Sequence, residues 1–291
     1  MSRVEVIGDA TLILGDCREW LASVPPCFSV DAVVTSPPYG QQRDYGAKIQ
    51  DWRGLVSGAL TRTPNNGLAQ VLVNLGPIHR DGEVILYWND LIEDMRATGY
   101  RLFGWYVWDQ LSGQAGDWNG RLAPAHEFVF HFNRQPRRPN KTKRTQGHDL
   151  GRKIHGPGVR KPDGSSAAKT GHGDDVQPFK IPDSVLRLPR DTANVGAHVA
   201  HPARFPVAFA TELVAAYSGP GETVLDPFMG SGTTGVTCAN LGRKFIGCEI
   251  DPGYFDIACR RIEEAHRQPR LFADEPPAKP VQAALFDGDA A

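Results

Sequence analysis

Apolar residues fall into short blocks whose period changes along the chain. Residues 11–16 (TLILGD) and 30–36 (VDAVVTS) are near-continuous apolar runs. Between them, residues 18–24 (REWLASV) space their apolar positions as a helix does, and Pro25-Pro26 marks a turn. Strand, helix and strand in that order predict a parallel α/β sheet, whose strands are covered on both faces and so are apolar throughout. Residues 70–75 (QVLVNL), 84–88 (VILYW) and 101–108 (RLFGWYVW) extend the expected sheet, and 127–132 (EFVFHF) closes this half. Residues 89–98 place Leu91, Ile92 and Met95 on one helical face, and Gly99 ends that helix.

The alternation resumes near the C-terminus. Residues 205–218 (FPVAFATELVAAYS) and 233–242 (TTGVTCANLG) predict helices, while 223–228 (TVLDPF) and 244–250 (KFIGCEI) predict strands. A last helix begins after Asp251, a suitable N-cap, with Pro252 in its first turn. Residues 134–190 break the pattern with scattered Gly, Pro, Ser and Lys, so they are expected to be an inserted module with little core of its own. The expected organisation is two halves of one α/β domain, 1–133 and 191–267, the insertion 134–190 between them, and a disordered Pro- and Ala-rich tail, 268–291.

Charge sharpens this division. The net charge is only -1 over 291 residues, yet the insertion holds fourteen basic and five acidic residues, a balance of +9 that leaves -10 on the rest. Arg137, Arg138, Lys141, Lys143, Arg144, Arg152 and Lys153 are its candidate phosphate contacts. No apolar run approaches the roughly 18 residues that span a bilayer, so no membrane association is expected. The start, MSRVEVIGDA, lacks a secretory segment, which predicts a cytoplasmic protein. The five cysteines form no CxxC pair, so neither a structural zinc nor a disulfide framework is expected.

Two stretches carry chemistry. Asp226-Pro227-Phe228-Met229-Gly230-Ser231-Gly232-Thr233-Thr234-Gly235 lies between a predicted strand and helix and contains GxGxxG, with Glu249 at the end of the next strand. Glycines admit a ligand to the backbone, the helix N-terminus favours an anion, and the acid suits ribose hydroxyls. Dinucleotides and S-adenosylmethionine both fit, so a nicotinamide-dependent oxidoreductase stays open on this motif alone. The other stretch is Thr35-Ser36-Pro37-Pro38-Tyr39-Gly40, behind a buried strand. Two prolines stiffen the backbone, with a hydroxyl before them and an aromatic ring after.

Together the stretches resemble the amino-group methyltransferases of DNA, whose motifs read DPFxGSGTT and [D/N/S]PP[Y/F]. The order here, SPPY first and the glycine motif about 190 residues later, is similar to the circularly permuted β group of that family. The resemblance implies a Rossmann-like S-adenosylmethionine-dependent methyltransferase fold, mostly parallel with one antiparallel strand. It implies cofactor contacts from Asp16, Asp226, Phe228, Gly230, Ser231, Gly232, Thr233 and Glu249. Ser36, Pro37, Pro38 and Tyr39 become the catalytic residues: Ser36 Oγ and the Pro37 carbonyl accept from the amino group, and Tyr39 stacks on the flipped base. Serine in this motif usually accompanies cytosine N4 methylation in the family and aspartate adenine N6, so cytosine is expected and adenine is the alternative. Residues 201–206 (HPARFP) resemble a motif near the methionine end of the cofactor, and 125–128 (AHEF) one near the target base. Gln110 stands where relatives often have lysine.

Double-stranded DNA is the expected partner, met by the insertion where the family keeps its target-recognition region. A second copy of the chain is a candidate partner too. Residues 268–272 (QPRLF) and 282–286 (QAALF) share the form QxxLF, which resembles the peptide by which bacterial replication proteins dock on the sliding clamp.

Overall fold

A computed structural model describes residues 3–39, 51–113, 120–155, 158–161, 163–167, 171–190 and 205–268. The first half contains β1 (Arg3–Ile7), β2 (Ala10–Leu14), α1 (Cys17–Ser23), β3 (Ala32–Thr35), α2 (Trp52–Leu60), β4 (Gln70–Leu75), β5 (Ile78–Arg80), β6 (Glu83–Ile85), α3 (Asn89–Ala97), β7 (Arg101–Asp109) and β8 (His126–Asn133). The insertion adds five short strands: β9 (Lys143–Arg144), β10 (Val159–Arg160), β11 (Ser166–Ala167), β12 (Phe179–Lys180) and β13 (Val185–Arg187). After it come α4 (Val207–Tyr217), β14 (Thr223–Asp226), α5 (Thr233–Leu241), β15 (Lys244–Glu249) and α6 (Pro252–Arg267).

Nine strands form one sheet in the order β1-β2-β15-β14-β3-β4-β8-β7-β13. Pairing is parallel except where β8 lies between β4 and β7 and where β1 turns back on β2. Successive side chains enter different cores, as a period of two requires. Val33, Val71 and Phe130 pack with Leu21, Leu60, Leu91 and Met95 of α1, α2 and α3. Val34, Leu72 and Val129 pack with Phe209, Cys238, Phe255 and Ile262 of α4, α5 and α6. Burial on both faces is why β3 and β4 read as unbroken apolar runs.

Three expectations change. β1 and α2 were not legible as elements, and β1 is a second antiparallel strand, where β8 alone answers to the one expected. Residues 84–88 do not extend the sheet: Glu83–Ile85 pairs back on Ile78–Arg80 in a separate ribbon. Asp81 (φ 49°) and Gly82 (φ 87°) make the turn there, an Asp-Gly pair that favours a tight hairpin. The insertion is also less independent than its composition suggested. Its β13 is the edge strand of the main sheet, parallel to Val107–Asp109 of β7, and Leu186 joins the core. Among the described residues, no helix is long and apolar enough to cross a membrane.

Candidate active site

Strand order reverses between β14 and β3. From β14 the chain runs through α5 to β15 on one side, and from β3 through α2 to β4 on the other. In such sheets the crevice for ligands opens at the carboxyl ends of the two diverging strands. Both sequence motifs leave the sheet there. The register Val224↔Ala32 and Leu225↔Val33 brings the end of β14 alongside the end of β3.

A buried hydrogen-bond cluster ties the motifs together. Asp226, 2% exposed, accepts from Thr35 Oγ1 at 2.6 Å, Thr234 Oγ1 at 2.7 Å and the Phe228 amide at 3.1 Å. Burial pushes its carboxyl up to about 6, against the pull of those donors. Its two oxygens thus face inward to three protein donors and set the spacing of the two loops. Thr35 and Thr234 were not singled out from the sequence. Their sequence signal was a hydroxyl within each quoted stretch.

Glu249 braces the glycine loop from β15. Its Oε2 accepts from the Gly230 amide at 2.9 Å and its Oε1 from the Asp251 amide at 2.8 Å. Burial raises its carboxyl, and those amides oppose the shift. Gly232 has φ 80°, and a Cβ there would stand 2.9 Å from Ala258 Cβ, so glycine is required by backbone and space alike. Arg261 of α6 reaches Ser231 Oγ at 2.9 Å and Thr233 Oγ1 at 3.4 Å. Beyond the loop α5 starts without a side-chain cap, the arrangement that leaves first-turn amides for a ligand. A loop with glycine at positions 230 and 232, an open helix N-terminus and a partly buried acid together fit a nucleoside carrying a carboxylate. Asp16 lies near, because the Gly15 amide donates to the Glu249 carbonyl at 2.8 Å. Its carboxylate caps α1 and pairs with Arg18 at 2.6 Å, and that guanidinium holds it below the usual carboxylate range.

At the end of β3, Ser36 is partly exposed and the Pro38 carbonyl accepts from Trp52 Nε1 at 2.6 Å. Tyr39 departs from expectation. The residue is only 4% exposed, so its ring offers no free face for a base in this arrangement. Its hydroxyl donates to Glu127 Oε2 at 2.6 Å and lies 3.2 Å from Asn74 Oδ1 and 3.4 Å from Ser36 Oγ. Burial, reinforced by the Glu127 carboxylate, pushes the phenol up, so it stays protonated. Glu127 lies in the stretch the sequence placed near the target base, and Asn74 and Trp52 had carried no signal at all.

The insertion's basic residues divide. β8 runs opposite to its neighbours, so the chain leaves the sheet after Asn133 at the edge away from the crevice. There Asn140 bonds the Ala215 and Ser218 carbonyls, and Arg137 pairs with Glu222 at 2.8 Å. Lys143 pairs with Glu212 on α4. These two expected DNA contacts anchor the insertion instead. Arg152 pairs with Asp149 and Lys153 with Asp175, both at exposed sites where phosphate can compete. Arg138, Lys141 and Arg144 are exposed and form no ion pair among the described residues. Most of the HPARFP stretch, Gly40 and both QxxLF peptides beyond Gln268 lie outside the described residues.

A family profile described as DNA methylase (N6_N4_Mtase) matches residues 30–260, most of the chain and both motifs. The chain belongs to this DNA methylase family. Among its relatives, the Type II methyltransferase M.ScaI of Streptomyces caespitosus is 28% identical over 273 residues, covering 88% of this chain and 82% of that protein. The DNA adenine methyltransferase YhdJ of Escherichia coli (strain K12) is 40% identical over 92 residues, 31% of each chain. Of solved structures, the cytosine-N4-specific PvuII DNA methyltransferase has a TM-score of 0.65 at 20% identity, covering 88% of this chain and 87% of that one. The M1.HpyAVI-SAM complex has a TM-score of 0.55 at 19% identity, covering 87% and 99%. Both likenesses show the methyltransferase fold.

Proposed function

We propose that this DNA methyltransferase moves a methyl group from S-adenosylmethionine to the exocyclic N4 of cytosine in duplex DNA, after the base has left the stack. The observation that supports this most is the Thr35–Asp226 hydrogen bond, which locks the serine-proline-proline turn beside the glycine loop. Bound along that loop, S-adenosylmethionine supplies an electrophilic methyl group on a sulfonium. The chain then has to present a weak nucleophile, because an exocyclic amine delocalises its lone pair into the ring. Acceptors fixed at Ser36 Oγ and the Pro37 carbonyl, aimed at the two amino hydrogens, favour a pyramidal nitrogen whose lone pair meets the methyl group. Gly230, Ser231, Gly232 and Thr233 hold the cofactor, with Phe228 and Glu249 beside them, while Asp226 and Asp16 act by setting the loops.

Cytosine is favoured by Ser36, in keeping with the serine preference of N4 enzymes. Adenine N6 is the second reading, favoured by the 92-residue match to an enzyme named as acting on adenine. Incubation of the purified protein and cofactor with mixed-sequence DNA, then nuclease digestion and mass spectrometry of the nucleosides, decides between them. N4-methylcytosine, lost in Ser36→Ala, is the expected product. N6-methyladenine would replace the choice of base, and no methylated base at all would remove the reading.

A further inference from the structure

Methylating an amino group leaves a surplus proton on the nitrogen, and the crevice contains one continuous exit for it. Ser36 Oγ donates to Tyr39 Oη at 3.4 Å, and Tyr39 Oη donates to Glu127 Oε2 at 2.6 Å. Both bonds run the same way, donor to acceptor, from the catalytic turn toward a carboxylate that is only partly buried at the start of β8. The phenol is held from two further sides. Asn74 Oδ1 lies 3.2 Å from it, with the amide orientation fixed by a 3.1 Å bond from Nδ2 to the Phe128 carbonyl. Gly76 lies against both partners: a Cβ there would stand 3.1 Å from Tyr39 Cε2 and 3.5 Å from Glu127 Cδ. A ring needed only for stacking has no use for an aligned hydroxyl, a carboxylate and a closed floor.

We propose that Ser36, Tyr39 and Glu127 form a proton relay, with Glu127 as the positioning residue that acts through Tyr39 and takes up the released proton. The relay rests on the amino-methyl transfer proposed above and is indifferent to whether the amine belongs to cytosine or adenine. As the nitrogen–carbon bond forms and the sulfur–carbon bond breaks, the sulfonium becomes a neutral thioether and the nitrogen turns cationic. The nitrogen passes a proton to Ser36 Oγ. The serine hydrogen moves to Tyr39 Oη, and the tyrosine hydrogen to Glu127 Oε2. Glu127 ends as a carboxylic acid and returns the proton to water at its open side, restoring every group. The phenol conducts by gaining and losing a proton together, never as a free tyrosinate. At 3.4 Å the first link is long, and such catalytic contacts tighten when substrate binds. The motif also admits phenylalanine, which has no hydroxyl, so the relay is particular to the tyrosine of this chain.

The test is single-turnover methylation of DNA by the cofactor-saturated wild type, Tyr39→Phe, Glu127→Gln, Glu127→Asp and the double variant Y39F/E127Q, with cofactor and DNA affinities measured alongside. Tyr39→Phe and Glu127→Gln are each expected to slow the chemical step about a hundredfold and leave both affinities near wild type. The double variant should be no slower than either single one, and Glu127→Asp should restore part of the rate. A wild-type rate in Tyr39→Phe, which keeps the ring and deletes only the hydroxyl, overturns the relay, as do fully additive losses. Thermal melts expose a Glu127→Gln protein that fails to fold, and Tyr39→Phe then decides alone. A wild type that methylates no DNA removes the amino-transfer reading itself, and the relay with it.

Discussion

Replacing Thr35 by valine keeps the shape of the side chain and deletes one donor to Asp226. Both partners are buried, so no water replaces the lost 2.6 Å bond, and the carboxylate keeps Thr234 Oγ1 and the Phe228 amide. With the Asp226 carboxyl raised to about 6, the acid is ionised at pH 7.5 and protonated at pH 5. Loss of a donor to a buried charge costs about 2 kcal/mol, and loss of a neutral hydrogen bond about 1 kcal/mol. For a domain of this size the melting temperature should drop about 4–8 °C at pH 7.5, and roughly half as much at pH 5. The sign follows from linkage. A carboxyl raised in the folded state favours that state below its unfolded value, and the benefit disappears as pH rises through about 6. Thr35 opposes the upward shift, so its removal raises the carboxyl further and harms the ionised form more. The wild-type curve alone cannot reveal this, because buried His131, lowered to about 4 by desolvation, loses stability as pH falls over the same range. His131 bonds Tyr106 and Gln70 in a separate cluster, so it cancels in the difference between variant and wild type. Paired thermal melts at the two pH values are sufficient. A penalty that is equal at both, or larger at pH 5, would refute the assigned linkage.

Two further substitutions probe the loop and the insertion. Gly232→Ala combines a left-handed backbone with a 2.9 Å clash against Ala258; a loss of about 3 kcal/mol is expected, with weaker cofactor binding by calorimetry, and an unchanged melt would contradict the geometry. Arg137→Ala should leave the salt dependence of DNA binding unchanged, because its partner is Glu222 on the far edge of the sheet. Arg144→Ala, beyond the anchored stretch that ends at Lys143, should flatten the slope of log affinity against log salt by about 0.9; the reverse pattern would return Arg137 to the DNA surface.

The amino-acid order was sufficient for the strand–helix alternation, both motifs and their permuted sequence, since period and turn chemistry are local properties. Burial on both faces makes parallel strands apolar throughout, so β3, β4 and β14 were legible. β1 was missed because an exposed edge strand, with Val4 and Val6 facing solvent, lacks that signature. Residues 84–88 misled for the opposite reason: Trp88 is apolar for the core, not for a strand, and only the Asp-Gly turn marked the ribbon.

What sequence could not determine is which polar atoms meet. Asp226 and Thr35 are 191 positions apart, and Tyr39 and Glu127 are 88 apart. Their contacts exist only because β3 is flanked by β14 on one side and β4 on the other, with antiparallel β8 returning its first residues to the catalytic edge. Charge misled for the same reason. A basic residue reads alike whether it faces phosphate or Glu222, and only the route of the insertion, leaving the sheet at the edge away from the crevice, tells the two apart. Local chemistry thus named the reaction class and its motifs, while long-range strand order decided which hydroxyl serves which carboxylate.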